Sequence, residues 1–186
     1  MLSVDEALSR CLDTVIDVRT EIVDLRAAYG RVLAEDITVH TPLPPWDNSA
    51  MDGFAVRSQD TDVIESSPDI DECSQEANHT ANGPWLNIVD TVAAGQVSNT
   101  SVEKGNAVRI MTGAPLPDGT DSVVMREYAT CSSDGTKVQI HQRAVVGQNV
   151  RYQGENAEKG TVVLEAGQTL HPASVGLCAA VGKEKV

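Results

Sequence analysis

The chain has 186 residues, of which 41% are apolar and only 3% are aromatic, so it is long enough to bury an aliphatic core. Its 27 acids against 14 bases give a formal charge of -13, which argues against nucleic acid or an anionic membrane as a partner, because binding phosphate needs a basic surface. No segment approaches the roughly 20 apolar residues of a membrane helix and no signal peptide opens the chain, so we expect a cytoplasmic protein.

The first forty residues predict two helices and a strand. Ser3 and Glu6 have the spacing of a capping box and precede an apolar stripe, which predicts a helix at the N-terminus. A second helix is predicted from about Leu25. Gly30 interrupts this helix at a cost of about 1 kcal/mol relative to alanine. The chain then leads toward a strand at Ile37.

The texture changes between Thr41 and about Val146, where proline, glycine and alternating apolar runs dominate. Short strands are predicted at GFAVRS, WLNIVDTV, NAVRIM, SVVMREYA and KVQIHQRAV, and their spacing indicates a small antiparallel β lobe. The acidic segment 60–82 is predicted to be a solvated loop. Later, Pro172 and the apolar residues after it predict a short final helix that Gly182 ends.

The loop PPWDNSAMDGFAV, residues 44–56, contains a first candidate site. Asn48 and Ser49 are residues that favour turns, and the pair Asp52-Gly53 leads into an alternating strand. From spacing alone, Asp52 is a turn aspartate. The functional alternative is an exposed carboxylate that binds a metal ion or a water molecule and is held by a stiff, proline-led loop.

Two further loops contain candidate residues. In VRIMTGAPLPDGTDSVV an apolar strand runs into Thr112 and Gly113, where a hydroxyl and bare backbone N–H groups could hold an oxyanion. The loop lacks the spacing of a P-loop. In NVRYQGENAEKG the charged residues Arg151, Glu155 and Lys159 are predicted to form surface ion pairs, with a ligand contact as the alternative.

Taken together and in this order, NSAMDGFAV, VRIMTGAPLPDGTDSVV and GQNVRYQGENAEKGTVVLEAGQTL resemble the N-terminal part of the molybdopterin molybdenumtransferases, the family of bacterial MoeA and the gephyrin E domain. The resemblance spans nearly the whole chain apart from the acidic segment. It implies an α+β fold with an elongated, discontinuous lobe of helices and β segments, into which a small β-rich domain is inserted. An α/β molybdopterin-binding domain and a C-terminal β-barrel, which the family also has, are expected to be absent.

The resemblance also implies domain boundaries. Residues 1–44 and 146–170 would form the elongated lobe, and residues 45–145 would form the inserted domain. Residues 171–186 would form a linker helix toward the missing α/β domain. The final KEKV reads as the start of an unfinished strand, so we expect a fragment of a longer protein.

The function that the resemblance implies is the insertion of molybdate into adenylylated molybdopterin, with release of AMP and a requirement for Mg²⁺. Family members are homodimers whose cleft lies between the inserted domain of one subunit and the α/β domain of the other. Asp52 and Thr112 would be the catalytic residues, with Asp52 also binding the metal ion. Asn48, Ser49 and Gly113 would support the substrate loops.

One position departs from the family pattern. Gly154, Glu155 and Asn156 occupy the place where the family has a triplet ending in aspartate. Because Asn156 has a carbonyl oxygen without charge, it is expected to bind a hard cation more weakly. Glu155 and Arg151 are expected to support the site from the same loop.

Two classes of function remain open from the sequence. In the first, the chain is the N-terminal part of the enzyme, cannot complete the reaction alone, and is a monomer or weak dimer by itself. In the second, it is a stand-alone, non-catalytic module that dimerises or binds a full-length partner. The choice between molybdate and tungstate also stays open.

Overall fold

The structure, a computed structural model, describes residues 2–14, 19–62 and 83–186. Most of the predicted acidic loop, residues 63–82, lies outside the described residues. The chain divides into two compact units, Met1–Thr38 with Val162–Val186, and Val39–Thr161. One unit is therefore discontinuous in sequence. The fold is α+β, as predicted, and strands dominate it. The domain boundaries given above stay predictions.

The helices and strands are short. The helices are α1 (Val4–Leu12) and α2 (Pro172–Ala180), and single 3-10 turns occur at Leu25–Ala27, Ser58–Thr61 and Arg126–Tyr128. The strands in chain order are β1 (Ile37–Thr38), β2 (Asn48–Ser49), β3 (Gly53–Val56), β4 (Trp85–Val92), β5 (Asn106–Ile110), β6 (Ser122–Met125), β7 (Ala129–Cys131), β8 (Lys137–Ile140), β9 (Val150–Arg151) and β10 (Val162–Leu164). No helix within the described ranges is long and apolar enough to cross a membrane.

Both ends of the discontinuous unit carry the predicted helices. The Ser3 hydroxyl accepts from the Glu6 N–H at 3.2 Å, and a Glu6 carboxylate oxygen accepts from the Ser3 N–H at 2.9 Å. This reciprocal capping box confirms the predicted start of α1. The apolar stripe of α1 is exposed, with Leu8 56% and Leu12 61% accessible. At the other end, α2 begins at Pro172 as predicted.

The helix predicted from Leu25 is wrong beyond its first turn. The 3-10 turn stops at Ala27, and Gly30 adopts a left-handed conformation with φ of 78°. The chain then runs extended, and the N–H groups of Gly30 and Leu33 donate to the carbonyls of Leu170 and Gln168, both at 2.9 Å. Pairing with a distant segment therefore satisfies the backbone that a helix would have satisfied locally. The predicted strand at Ile37 is present, and β1 pairs antiparallel with β10.

The continuous unit contains a six-stranded sheet in the order β6-β3-β5-β4-β8-β7. All five predicted strands are present in it, but the sheet is not wholly antiparallel, because β4 and β5 pair in parallel. The 13 residues between Val92 and Asn106 allow the return that a parallel pair needs. Alternation of apolar residues predicts a strand but not its direction, so this error could not be avoided from the sequence.

The core lies on both faces of this sheet, because β3 and the edge strand β6 beside it are buried along nearly their whole length. Phe54, the only phenylalanine of the chain, belongs to one apolar cluster with Val124. Ala55 and Val123 belong to the cluster on the opposite face. Successive side chains of a strand point to opposite faces, so two aliphatic layers hold β3 in place. The residue immediately before β3 is Asp52.

Candidate functional site

Asp52 is positioned by the close approach of β3 to β6. A Cβ added at Gly53 would lie 2.0 Å from the carbonyl oxygen of Val124, so only glycine fits there. The Asp52 carbonyl accepts a hydrogen bond from the N–H of Arg126, the residue that follows β6, at 3.0 Å. The backbone at Asp52 is therefore fixed to a rigid sheet, although the side chain is exposed.

The carboxylate of Asp52 is held by the second candidate loop. Its Oδ1 accepts from the N–H and from the hydroxyl of Thr112, each at 2.7 Å. The backbone hydrogen bond, then the hydroxyl bond, and to a smaller extent the charge of Arg126 lower the pKa of Asp52 below its ordinary value. The group is therefore ionised at neutral pH. Oδ2 accepts no hydrogen bond from any described residue. The bonds to Oδ1 fix the orientation of the carboxylate, and Oδ2 is available to a cation or a water molecule.

The second loop does not offer the bare N–H groups that the sequence predicted. The Thr112 N–H donates to Asp52, the Gly113 N–H donates to the Ser49 carbonyl at 2.8 Å, and the Ala114 N–H donates to the Met111 carbonyl at 3.0 Å. Two of these three acceptors belong to the first loop, so the hydrogen bonds between the two loops use the N–H groups of the second. An oxyanion at this place must therefore find its donors in other residues.

Asn48 and Ser49 lie beneath the surface of the site. Both are buried, and β2, which they form, pairs with β9 so that Asn48 lies opposite Arg151. The Ser49 hydroxyl donates to the Met51 carbonyl at 2.5 Å and accepts from the Met51 N–H at 3.3 Å. These bonds shape the turn before Asp52, which agrees with a supporting role. Among the described residues, the Asn48 Oδ1 is a buried oxygen without a donor.

The third loop is fastened to the first by a residue that sequence reasoning missed. The Gln153 N–H donates to Oδ1 of Asp47 at 2.7 Å, and its side-chain amide donates to the Pro45 carbonyl at 2.6 Å. Asp47 also accepts the Leu116 N–H of the second loop at its carbonyl, at 2.9 Å. Asp47 and Gln153 thus join all three loops. The sequence signal for Asp47 was its place beside a tryptophan and two prolines, whereas Gln153 gave none.

The charged residues of the third loop do not form the ion pairs that were predicted. In the part of the chain that the structure describes, the ion pairs are Arg31–Glu21 and Arg143–Asp62. Glu155 instead accepts the Tyr152 N–H at 2.9 Å through its carboxylate. Asn156 is exposed, and its N–H donates to the Leu43 carbonyl at 2.9 Å, which ties it to the start of the first loop.

The donor set for a metal ion is small. Within residues 2–14, 19–62 and 83–186, no three acidic, histidine or cysteine side chains come together as a metal cluster. At its junction with Thr112, Asp52 offers one carboxylate oxygen that accepts no hydrogen bond from a described residue. Mg²⁺ commonly binds through one or two protein carboxylates and fills its other positions with water and substrate phosphate. Asp52 therefore fits a single ligand of such an ion and does not form a complete site.

Comparison with known proteins gives consistent results. The family model described as the MoeA N-terminal region, domains I and II, matches residues 2–182. A molybdopterin molybdenumtransferase of Haemophilus influenzae is 36% identical over 187 residues, which cover 100% of this chain and 41% of that protein. One of Bacillus subtilis is also 36% identical, with 40% of its length covered. The chain spans about two-fifths of these relatives.

The fold also matches solved structures. The crystal structure of a molybdopterin biosynthesis moeA protein from Pyrococcus horikoshii aligns with a TM-score of 0.79 and 36% identity. The alignment covers 98% of this chain and 44% of that one. A second structure of a protein so described, from the same organism, aligns over 100% of this chain with a TM-score of 0.80 and 30% identity.

Proposed function

The chain belongs to the family of the MoeA N-terminal region, and from this premise we propose that it is the N-terminal part of an enzyme that inserts molybdate into adenylylated molybdopterin, releasing AMP. Because the chain spans about two-fifths of its relatives, it would supply one side of the site. The complete reaction would need residues that lie outside this chain.

The observation that supports this proposal best is the junction of Asp52 with Thr112. Two residues 60 positions apart in the sequence are joined by two hydrogen bonds to one carboxylate oxygen, and the other oxygen stays open. An ionised carboxylate cannot bind a dianion such as molybdate directly, because like charges repel. We propose that Asp52 holds Mg²⁺ and the water molecules on it, and that Thr112 orients Asp52 for this role. Mg²⁺ would neutralise the charge of the molybdate and phosphate oxygens.

Asn156 is proposed to weaken the binding of that cation. Its side-chain oxygen is neutral, and hard divalent cations prefer carboxylates. Exchange of Asn156 for aspartate would restore the negative charge that the family has at this exposed position. The backbone there is already held, because the Asn156 N–H donates to the Leu43 carbonyl. We expect the Asn156→Asp variant to reach half-maximal activity at a Mg²⁺ concentration several-fold lower. An identical dependence on Mg²⁺ in both proteins would contradict this role.

The experiment that tests the proposed function uses a chimaera. In it, this chain replaces the matching 187 residues of the Haemophilus influenzae relative, which supplies the rest of the protein. The chimaera is incubated with adenylylated molybdopterin, molybdate and Mg²⁺, and AMP and molybdenum cofactor are quantified. We expect both products in equal amounts, and none from the Asp52→Ala variant. A folded chimaera that releases no AMP would contradict the proposed function.

The isolated chain tests the proposed assembly. We propose that the full-length protein is a homodimer and that the 186-residue chain alone is a monomer or weak dimer. Light scattering of the chain across a dilution series measures this directly. A dimer whose mass does not fall on dilution would contradict the second part.

The alternative function is a non-catalytic module that binds a full-length partner. Two observations favour it: the neutral Asn156 and the exposed apolar side chains of α1, such as Leu8 and Leu12. An inactive chimaera that stays inactive with Asn156→Asp, together with binding of the isolated chain to the intact relative, would favour this alternative over the enzyme.

A further inference from the structure

Arg126 lies beside Asp52, although no motif in the sequence pointed to it. It directly follows β6, and β6 pairs with β3 so that Met125 lies opposite Gly53. The Arg126 N–H donates to the Asp52 carbonyl at 3.0 Å, which continues this register by one step. Arg126 is therefore fixed by the same strand pairing that fixes Asp52, while its side chain is exposed.

The guanidinium of Arg126 has no partner among the described residues. It makes neither of the ion pairs that the structure records there, Arg31–Glu21 and Arg143–Asp62. Its charge nevertheless helps to lower the pKa of the Asp52 carboxyl, so the two groups are within electrostatic reach without forming an ion pair. The five N–H donors of this permanently charged group therefore meet no acceptor among the described residues next to the candidate site.

A negatively charged ligand at Asp52 needs a positive partner from somewhere. The chain has a formal charge of -13, so its overall field repels anions. The N–H groups of Thr112, Gly113 and Ala114 are all donated within the chain. An arginine side chain has the planar, forked donors that match a tetrahedral oxyanion, and Arg126 presents such a fork beside Asp52.

We propose that Arg126 is an anion-binding residue that receives a tetrahedral oxyanion beside Asp52 and Thr112. The ligand class is a molybdate or phosphate oxygen group. The identity of the ligand, molybdate or the phosphate of an adenylylated substrate, rests on the proposed function. Binding of an oxyanion by Arg126 is independent of that function and can be measured on the isolated chain.

The test titrates the 186-residue chain with sodium molybdate, inorganic phosphate and AMP in separate experiments at low ionic strength. Binding is followed by calorimetry and by the amide NMR signals of Thr112 and Arg126. Three variants are compared: Arg126→Gln, which removes the charge, Arg126→Lys, which keeps the charge without the fork, and Lys137→Gln as the matched control. Lys137 is exposed and lies on β8, which β5 and β4 separate from β3 in the same sheet.

We expect Arg126→Gln to weaken oxyanion binding about tenfold, the factor that corresponds to about 1.4 kcal/mol. Arg126→Lys should lie between it and the wild type, and Lys137→Gln should bind within about twofold of the wild type, because the lost charge is distant. Preference for molybdate over phosphate and AMP would identify the molybdate position. The reverse preference would identify the position of the substrate phosphate.

Three results would overturn the inference. The first is that the wild-type chain binds none of the three anions. The second is that Arg126→Gln binds them as the wild type does, and the third is that Arg126→Gln and Lys137→Gln lose affinity equally. Thermal melting of each variant shows that it is folded, which we expect because both side chains are exposed. An inactive chimaera whose wild-type chain still binds oxyanion through Arg126 would contradict the proposed function and leave this inference standing.

Discussion

Replacing Gly53 by alanine tests whether strand pairing positions Asp52. The added Cβ would lie 2.0 Å from the Val124 carbonyl oxygen, roughly 1.4 Å inside the 3.4 Å of ordinary contact. The obstacle is backbone of the buried edge strand β6, so β3 must move away from it. Forcing extra atoms into a packed core costs about 1–3 kcal/mol, and a clash with backbone belongs at the upper end. We expect the free energy of unfolding to fall by about 3 kcal/mol.

Urea denaturation followed by circular dichroism measures this loss, and Gly176→Ala is the matched control. Gly176 lies in α2, and a Cβ there meets no atom within 4 Å, so alanine should stabilise the helix by about 0.5–1 kcal/mol. In the Gly53→Ala protein the Thr112 amide NMR signal should also lose the shift caused by its carboxylate partner. A variant that unfolds at the wild-type urea concentration and keeps that signal would refute the reasoning.

Two further predictions concern the loops. Thr112→Val removes the hydroxyl bond but keeps the backbone bond, which lowers the pKa of Asp52 most, so this pKa should rise and still lie below the ordinary value of an aspartate, as carboxyl NMR can measure. A pKa that is lower in the folded than in the unfolded protein contributes stability above the unfolded pKa, and this stability is lost as the pH falls through the folded pKa. Acidification through pH 4 should therefore destabilise this variant less than the wild type. An equal loss of stability in both proteins would count against this prediction. Gln153→Ala should loosen the loop around Trp46, so that acrylamide quenches Trp46 fluorescence more strongly in a Trp85→Phe background, and unchanged quenching would show that Gln153 does not fasten this loop.

Local signals in the sequence predicted local structure well. The capping box of Ser3 and Glu6 needs only four residues and is formed as predicted. The segment after Leu25 was also predicted to be helical, but hydrogen bonds to Leu170 and Gln168, some 140 residues away, replace the helix. Propensity is a weak prior in such a segment, because tertiary contacts outweigh it.

The sequence indicated candidate residues for the site, which stay predictions, and did not indicate their geometry. The motifs pointed to Asp52 and Thr112 through a family resemblance, but their hydrogen bonds follow from the register of β3 with β5 and β6, which periodicity alone does not give. For the same reason, the loop N–H groups were expected to be free and are not. Arg126 was overlooked because its importance comes only from the strand pairing that brings it to Asp52.

The central claim is that the ionised carboxylate of Asp52 serves molybdate insertion. Asp52→Asn tests it most directly, because the amide oxygen can still accept the two Thr112 hydrogen bonds while the charge is lost. The measurement is AMP release by the chimaera that carries this variant, relative to the unsubstituted chimaera. We expect a loss of about a hundredfold in a chimaera that thermal melting shows to be folded. Activity within about twofold of the parent would contradict the claim.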